Sequence, residues 1–190
     1  LRENKVDGVI VIGWLLEKYL KFLNDKTKVP FIYLDFCDEK QDSDSVVSDS
    51  YYGAYRMTNY LFEMGHKKIA YIHGQQNSVT KVRLASFYRT MEEHELSVPD
   101  EYVPEAPYLE AEASAEVTKK LLALKNPPTC ILYPDDYTAI GGIAVIREAG
   151  LSIPSDISVA GYDGISLIQQ FQPKLTTYAQ DMSGIGKEAA

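Results

Sequence analysis

Acidic residues close several of the short apolar bursts in this chain. Asp35 follows Phe31-Ile32-Tyr33-Leu34, Asp135 and Asp136 follow Ile131-Leu132-Tyr133-Pro134, and Asp163 follows Ser158-Val159-Ala160-Gly161-Tyr162. A carboxylate accepts hydrogen bonds in two directions, so such a set suits a ligand rich in hydroxyl groups. Trp14 stands at a further burst end, after Val9-Ile10-Val11-Ile12-Gly13; an indole face stacks against a sugar ring, and it also fills a core. Covalent chemistry finds no comparable support. The motifs Gly-x-Ser-x-Gly and His-Glu-x-x-His are absent, and His66, His73 and His94 are scattered without partners nearby in sequence. Gly184-Ile185-Gly186 follows no strand and does not read as a nucleotide loop. Cys37 and Cys130 lie far apart in no metal-type spacing, and Cys130 sits in an apolar run where a buried thiol is usual. The expectation is a protein that is no enzyme and carries neither metal nor cofactor.

Positioning these residues falls to an alternation of strands and helices. Helical periodicity over Leu15 to Leu23 follows the first burst, and a helix opens at Ser48-Asp49-Ser50 and closes at Gly65, a left-handed cap. Ile69 to Ile72 reads as a strand, Lys81 to His94 and Glu110 to Leu124 as helices, and Ile131 to Tyr133 as a strand. Tyr137 to Ala149 is a helix closed by Gly150, and Ile157 to Tyr162 is the last clear strand. Nearly continuous apolar strands separated by helices indicate a parallel sheet covered on both faces, so the fold class is α/β. Ligands of such sheets bind outside the carboxyl ends of the strands, where the aspartates stand.

Composition narrows the partners. The 190 residues carry a net charge of −8 with no basic run, whereas a surface that grips DNA needs a basic face. No stretch approaches the roughly 20 apolar residues that cross a bilayer. The start at Leu1, five residues before the apolar run from Val6 to Ile12, reads as a fragment that begins inside a fold. Cysteine usage points to a reduced, cytoplasmic compartment.

Four ordered motifs then resemble the lactose-repressor/galactose-repressor family of bacterial transcription regulators. They are Ser48-Asp49-Ser50-Tyr51-Tyr52-Gly53-Ala54 with Leu61-Phe62-Glu63-Met64-Gly65-His66-Lys67-Lys68, then Asp135-Asp136-Tyr137-Thr138-Ala139-Ile140-Gly141. Gly150-Leu151-Ser152-Ile153-Pro154-Ser155-Asp156-Ile157-Ser158-Val159-Ala160-Gly161-Tyr162-Asp163 and Pro173-Lys174-Leu175-Thr176-Thr177 complete the set. The resemblance implies a periplasmic-binding-protein-like fold of two doubly wound parallel-sheet subdomains joined by crossovers. By analogy, residues 1–47 with 177–190 form the partial DNA-proximal subdomain and 48–176 the distal one. It also implies a homodimer whose absent N-terminal helix-turn-helix reads operator DNA.

Site residues carry over one by one. Arg83 matches a ligand-contacting arginine, whose guanidinium fork suits paired hydroxyls or a carboxylate; the plain alternative is a solvated helix residue. Asp163 matches a ligand-contacting aspartate, although Asp163-Gly164 is also a good turn. Asp135 stands where the family has asparagine, so it only accepts where an amide also donates, and Asp136 is expected to cap the next helix. Asp35 matches a sugar-contacting aspartate, followed here by Phe36 in place of the family's arginine. Phe87 lies one helical turn beyond Arg83 and is a candidate lining residue, Trp14 joins the set, and Ser48 sits at the first crossover. His66 is expected to satisfy backbone groups after the helix end. The function implied is sensing of a sugar or sugar derivative that modulates operator binding; the alternative is a periplasmic-type sugar-binding protein.

Overall fold

A computed structural model of the chain describes residues 6–13, 17–26, 29–36, 43–170, 172 and 174–190. Trp14 and Cys37 lie outside them. The chain divides into two compact units, Leu1–Asp49 with Asp181–Ala190, and Ser50–Gln180.

In the first unit, strands β1 (Val9–Ile12), β2 (Phe31–Leu34) and β3 (Ser45–Val46) lie parallel in that order, with helix α1 (Glu17–Lys26) joining β1 to β2. Val9 pairs with Phe31 and Tyr33 with Ser45. Tyr33 is fully buried and meets the rings of Phe31 and Phe36 edge-on. Helix α6 (Met182–Ala189) returns to pack on β2 and β3.

The second unit holds helices α2 (Ser50–Glu63), α3 (Ser78–Glu93), α4 (Ala111–Leu122) and α5 (Asp136–Glu148). Its strands β4 (Ile69–Tyr71), β5 (Cys130–Leu132), β6 (Ser158–Asp163) and β7 (Thr176–Ala179) form one parallel sheet in that order. Side chains alternate across it, as the pleat requires. Ala70, Ile72, Ile131, Tyr133 and Val159 face one core with Leu121, Ile143 and Ile146. Ile69, Tyr71, Cys130, Leu132 and Ala160 face the other with Met57, Leu61, Phe87 and Met91. Burial on both faces explains why these strands read as unbroken apolar runs. It also pushes the Cys130 thiol up to about 12, which leaves it inert.

One further pairing fixes the winding. Ile72 donates its N–H to Leu132 on the β5 side, while His73 donates to Pro104 and accepts from Ala106. The bridge of His73 with Glu105 therefore lies on the opposite side of β4. From β4 the chain first visits one flank and then crosses to β5 on the other, so the sheet is doubly wound. The switch point, where such sheets bind ligands, falls at the carboxyl ends of β4 and β5.

Several boundaries differ from the sequence expectation. Helix α3 begins at Ser78, three residues before Lys81, because Asn77 caps it by accepting from the Thr80 N–H at 2.8 Å. Strands β3 and β7 were not expected. Thr176–Ala179 becomes a strand because its backbone completes the ladder of β6, so the chain leaves the second unit at Gln180, four residues after the expected limit.

Helix ends follow local rules closely. Gly65 takes φ +94 and its N–H reaches Phe62 O at 2.8 Å, while the His66 N–H reaches Leu61 O. Gly150, at φ +76, closes α5 in the same way. Glu95 closes α3 with this geometry at φ +58, a conformation that a residue with a Cβ adopts at some cost.

Candidate functional site

At the switch point, α3 delivers Arg83 into the second unit's interior. Only 4% of Arg83 is exposed. Its Nη1 donates to Pro134 O at 2.9 Å, and its guanidinium lies 3.6 Å over the ring of Tyr162. Nε is buried with no hydrogen-bond partner, and no salt bridge joins Arg83 to any described residue. Instead the hydroxyls of Tyr71, Tyr108 and Tyr162 and the carboxyl of Asp163 supply the negative side of its surroundings. A buried cation so poorly matched by its own fold is costly, which marks a functional position.

Asp163 closes β6 at φ +106, outside the regions that residues with a Cβ usually occupy. Burial pushes its carboxyl up to about 7, against the pull of Arg83 and a hydrogen bond from Gln180; the Asp135 and Asp136 carboxylates add to the rise. Gln180 Nε2 donates to Asp163 Oδ1 at 2.6 Å. Near neutral pH this group therefore exchanges between the neutral acid, which can donate one hydrogen bond, and the carboxylate, which only accepts.

The loop before α4 closes over the same place. Tyr108 lays its ring on Gly74 where any Cβ would collide with it. Its hydroxyl meets Thr80 Oγ1 at 2.9 Å and its N–H donates to Gln75 Oε1 at 3.0 Å. Leu109 follows at φ +62, two-thirds exposed, and donates its N–H to Asp135 Oδ2 at 3.1 Å.

The two aspartates after β5 depart from the expected assignment of the cap. Asp135, not Asp136, caps α5: it is extended at φ −154, and its Oδ1 accepts from the Thr138 N–H at 2.8 Å. The cap requires non-helical backbone, which the first aspartate has and the second has lost. Asparagine and aspartate cap equally well, so this position tolerates either. Asp136 is the first helical residue, fully buried, accepting from the Ile165 N–H at 2.8 Å and from Thr177 Oγ1 at 2.6 Å.

Of the seven sequence candidates, the structure brings Arg83, Asp163 and Asp135 to the carboxyl end of the second unit's sheet, within electrostatic reach of one another. Phe87 has no exposed surface and packs against Tyr71, with ring centroids 5.3 Å apart. It is a core residue beneath the site and not a lining one, since the helix turn that carries Arg83 to the strand ends carries Phe87 into the sheet face. Asp35 is exposed at the end of β2, at φ +55, and Ser48 is half-buried before α2; both belong to the first unit. His66 uses its ring for the Thr129 hydroxyl at 3.0 Å, and only its N–H serves the helix end. Sequence reasoning missed Tyr71, Tyr108, Tyr162 and Gln180. Tyr162 was signalled by its place beside Asp163, whereas Tyr108 carried no signal at all. A shallow hollow of about 680 Å³ between Tyr88, Arg89 and Leu96 contains none of these residues. Among the described residues no group of His, Cys, Asp and Glu is placed to hold a metal, and no helix is long and apolar enough to cross a membrane.

A doubly wound parallel sheet with a charged, aromatic-lined switch point defines a class of ligand-binding domain. Residues 58–190 match the family model of the periplasmic binding protein-like domain, and the chain belongs to that family. Its form is that of the effector-binding region of regulators of the lactose-repressor/galactose-repressor type. The chain is 34% identical to the HTH-type transcriptional repressor PurR of Aliivibrio salmonicida and 36% to that of Aliivibrio fischeri. Each match covers all of this chain and 57% of the relative, so the chain spans little over half their length. Among solved structures, a LacI-family regulatory protein from Chloroflexus aggregans superposes with TM-score 0.88 at 26% identity. The transcription regulator CcpA of Lactococcus lactis does so with TM-score 0.90 at 25% identity. These matches cover 99% of this chain and 68% and 69% of theirs. The relatives are transcription regulators, not enzymes.

Proposed function

We propose that this chain is the effector-sensing region of a cytoplasmic, dimeric DNA-binding repressor, and that its effector is a sugar or sugar derivative. The carrying observation is the buried Arg83 stacked on Tyr162 beside Asp163 at the switch point of the sheet. Tyr108 offers a ring face to an apolar sugar surface, Asp163 accepts from hydroxyls, and Arg83, held against the buried Tyr162 ring, donates to ring or carboxylate oxygens. Asp163 and Arg83 are the direct contacts, Asp35 and Ser48 are the first unit's candidates, and Asp135 shapes the corner by capping α5. Effector binding shifts the protein between conformations only if the effector prefers one of them, and that preference sets operator affinity.

A thermal-shift screen of the intact protein against sugars, sugar acids, sugar phosphates and purines tests the reading, with Arg83→Ala and Asp163→Ala as controls. The expected result is a compound that raises the parent's Tm, leaves the variants unmoved and changes operator affinity. A compound that binds without altering operator affinity sinks the sensing mechanism. A purine hit with no sugar hit replaces the ligand class.

A further inference from the structure

Gln180 is the last residue of the second unit, and Asp181 opens the segment that belongs to the first. It grips Asp163 twice: its backbone N–H donates to the Asp163 carbonyl at 3.2 Å and its Nε2 to Oδ1 at 2.6 Å. The amide oxygen Oε1 is buried and accepts from no described residue. Leaving a buried acceptor unmatched is unfavourable, so the side chain is held in this orientation by the bond it donates. On the other side of the carboxyl, Oδ2 accepts no hydrogen bond from the described residues.

We propose that Gln180 is the positioning residue for Asp163: by occupying Oδ1 it favours the carboxylate, leaves Oδ2 for an effector hydroxyl, and ties effector affinity to pH. The inference rests on Asp163 as an effector acceptor, although its first test does not require an effector.

The groups that face Asp163 come from four elements. Arg83 on α3 favours the anion; Asp135 and Asp136 at the start of α5 oppose it; Tyr108 lies in the loop before α4; Gln180 follows β7. Burial is the strongest influence and holds the carboxyl near neutrality. A hydrogen bond donated to the charged form offsets part of that, and its removal raises the midpoint further. An effector hydroxyl that donates to Asp163 needs the carboxylate, so affinity for a neutral sugar rises with pH through the midpoint.

A carbon-13 NMR titration of the Asp163 carboxyl in the intact protein, compared with Gln180→Met and Gln180→Glu, tests this directly. Methionine keeps the length and removes the donor, and glutamate keeps the shape and adds a second acid. The midpoint is expected to rise by about one pH unit in Q180M. It rises further in Q180E, where two carboxyl groups share one proton, and this isosteric variant serves if Q180M does not fold. An unchanged midpoint in the folded variants overturns the proposal. With D-galactose or D-ribose as probe, whichever binds the parent, Q180M loses about fivefold affinity at pH 7 and almost none at pH 9, following the ionised fraction. Equal loss at both pH values means that Gln180 only holds local shape, and overturns the link to affinity. If neither sugar binds, the carboxyl titration still decides the role of Gln180, so the two readings fail separately.

Discussion

Two corners of one sheet end carry aspartates and use them in opposite ways. After β5, all four carboxylate oxygens of Asp135 and Asp136 accept hydrogen bonds from the chain itself: from the N–H groups of Thr138, Leu109 and Ile165 and the hydroxyl of Thr177. After β6, Asp163 receives a side-chain hydrogen bond on one oxygen only, from Gln180. The first pair builds the corner, and the second residue leaves it chemically open. Residue type and position at a strand end are the same in both places. What separates structure from site is how many lone pairs the fold has already filled.

Removing structural carboxylates is the harshest way to test that contrast. Asp136→Ala strands the Ile165 N–H and the Thr177 hydroxyl in a part-buried place, and is expected to cost about 2–3 kcal/mol in denaturant unfolding. Asp135→Ala removes the cap of α5 and the anchor of Leu109, with an expected cost of about 1–2 kcal/mol. Asp135→Asn keeps the cap and most of the stability; if it is as harmful as alanine, charge and not capping is what the corner needs.

Asp163 is expected to behave in the opposite sense. Its folded pKa of about 7 lies above the ordinary carboxylate value, so the folded state holds the proton more tightly than the unfolded one. Its contribution to stability is complete below pH about 4, is lost as pH rises through about 7, and stays lost above. Asp163→Asn removes the charge that burial penalises. Its Tm is expected to exceed the parent's by about 2–4 °C at pH 8 and to equal it at pH 4. A Tm difference that does not change with pH breaks the contrast with Asp135.

The smallest expected effect lies outside both corners. Glu95→Gly relieves the left-handed closure of α3 and gains about 0.5 kcal/mol, less than the strain because glycine also frees the unfolded chain. It leaves the pH dependence of Tm untouched, which calibrates the larger changes.

Much of the fold was legible because it rests on local rules. Gly65 and Gly150 closed their helices where the glycines stand, and the apolar bursts of Ile69, Ile131 and Ser158 became parallel strands buried on both faces. Strand β7 was not read from the sequence, since Thr176–Ala179 carries β-favouring Thr and Tyr but no apolar run, and the ladder of β6 completes it. Arg83 and Asp163 were singled out through motifs, and the fold sets them within electrostatic reach of each other. Phe87 was misplaced, because helical spacing fixes the angle between two side chains and not which neighbour each one meets.

By itself the sequence determined the alternation of strands and helices, the helix ends, the strand-end aspartates and the family. These depend on periodicity, on backbone freedom at glycine and on short-range order. Tertiary structure alone decided which aspartate caps and which stays open. It also brought Tyr108 across from its loop and set Gln180 against Asp163. Those outcomes depend on the lone pairs and ring faces that remain after distant segments have packed, and no spacing along the chain encodes that remainder.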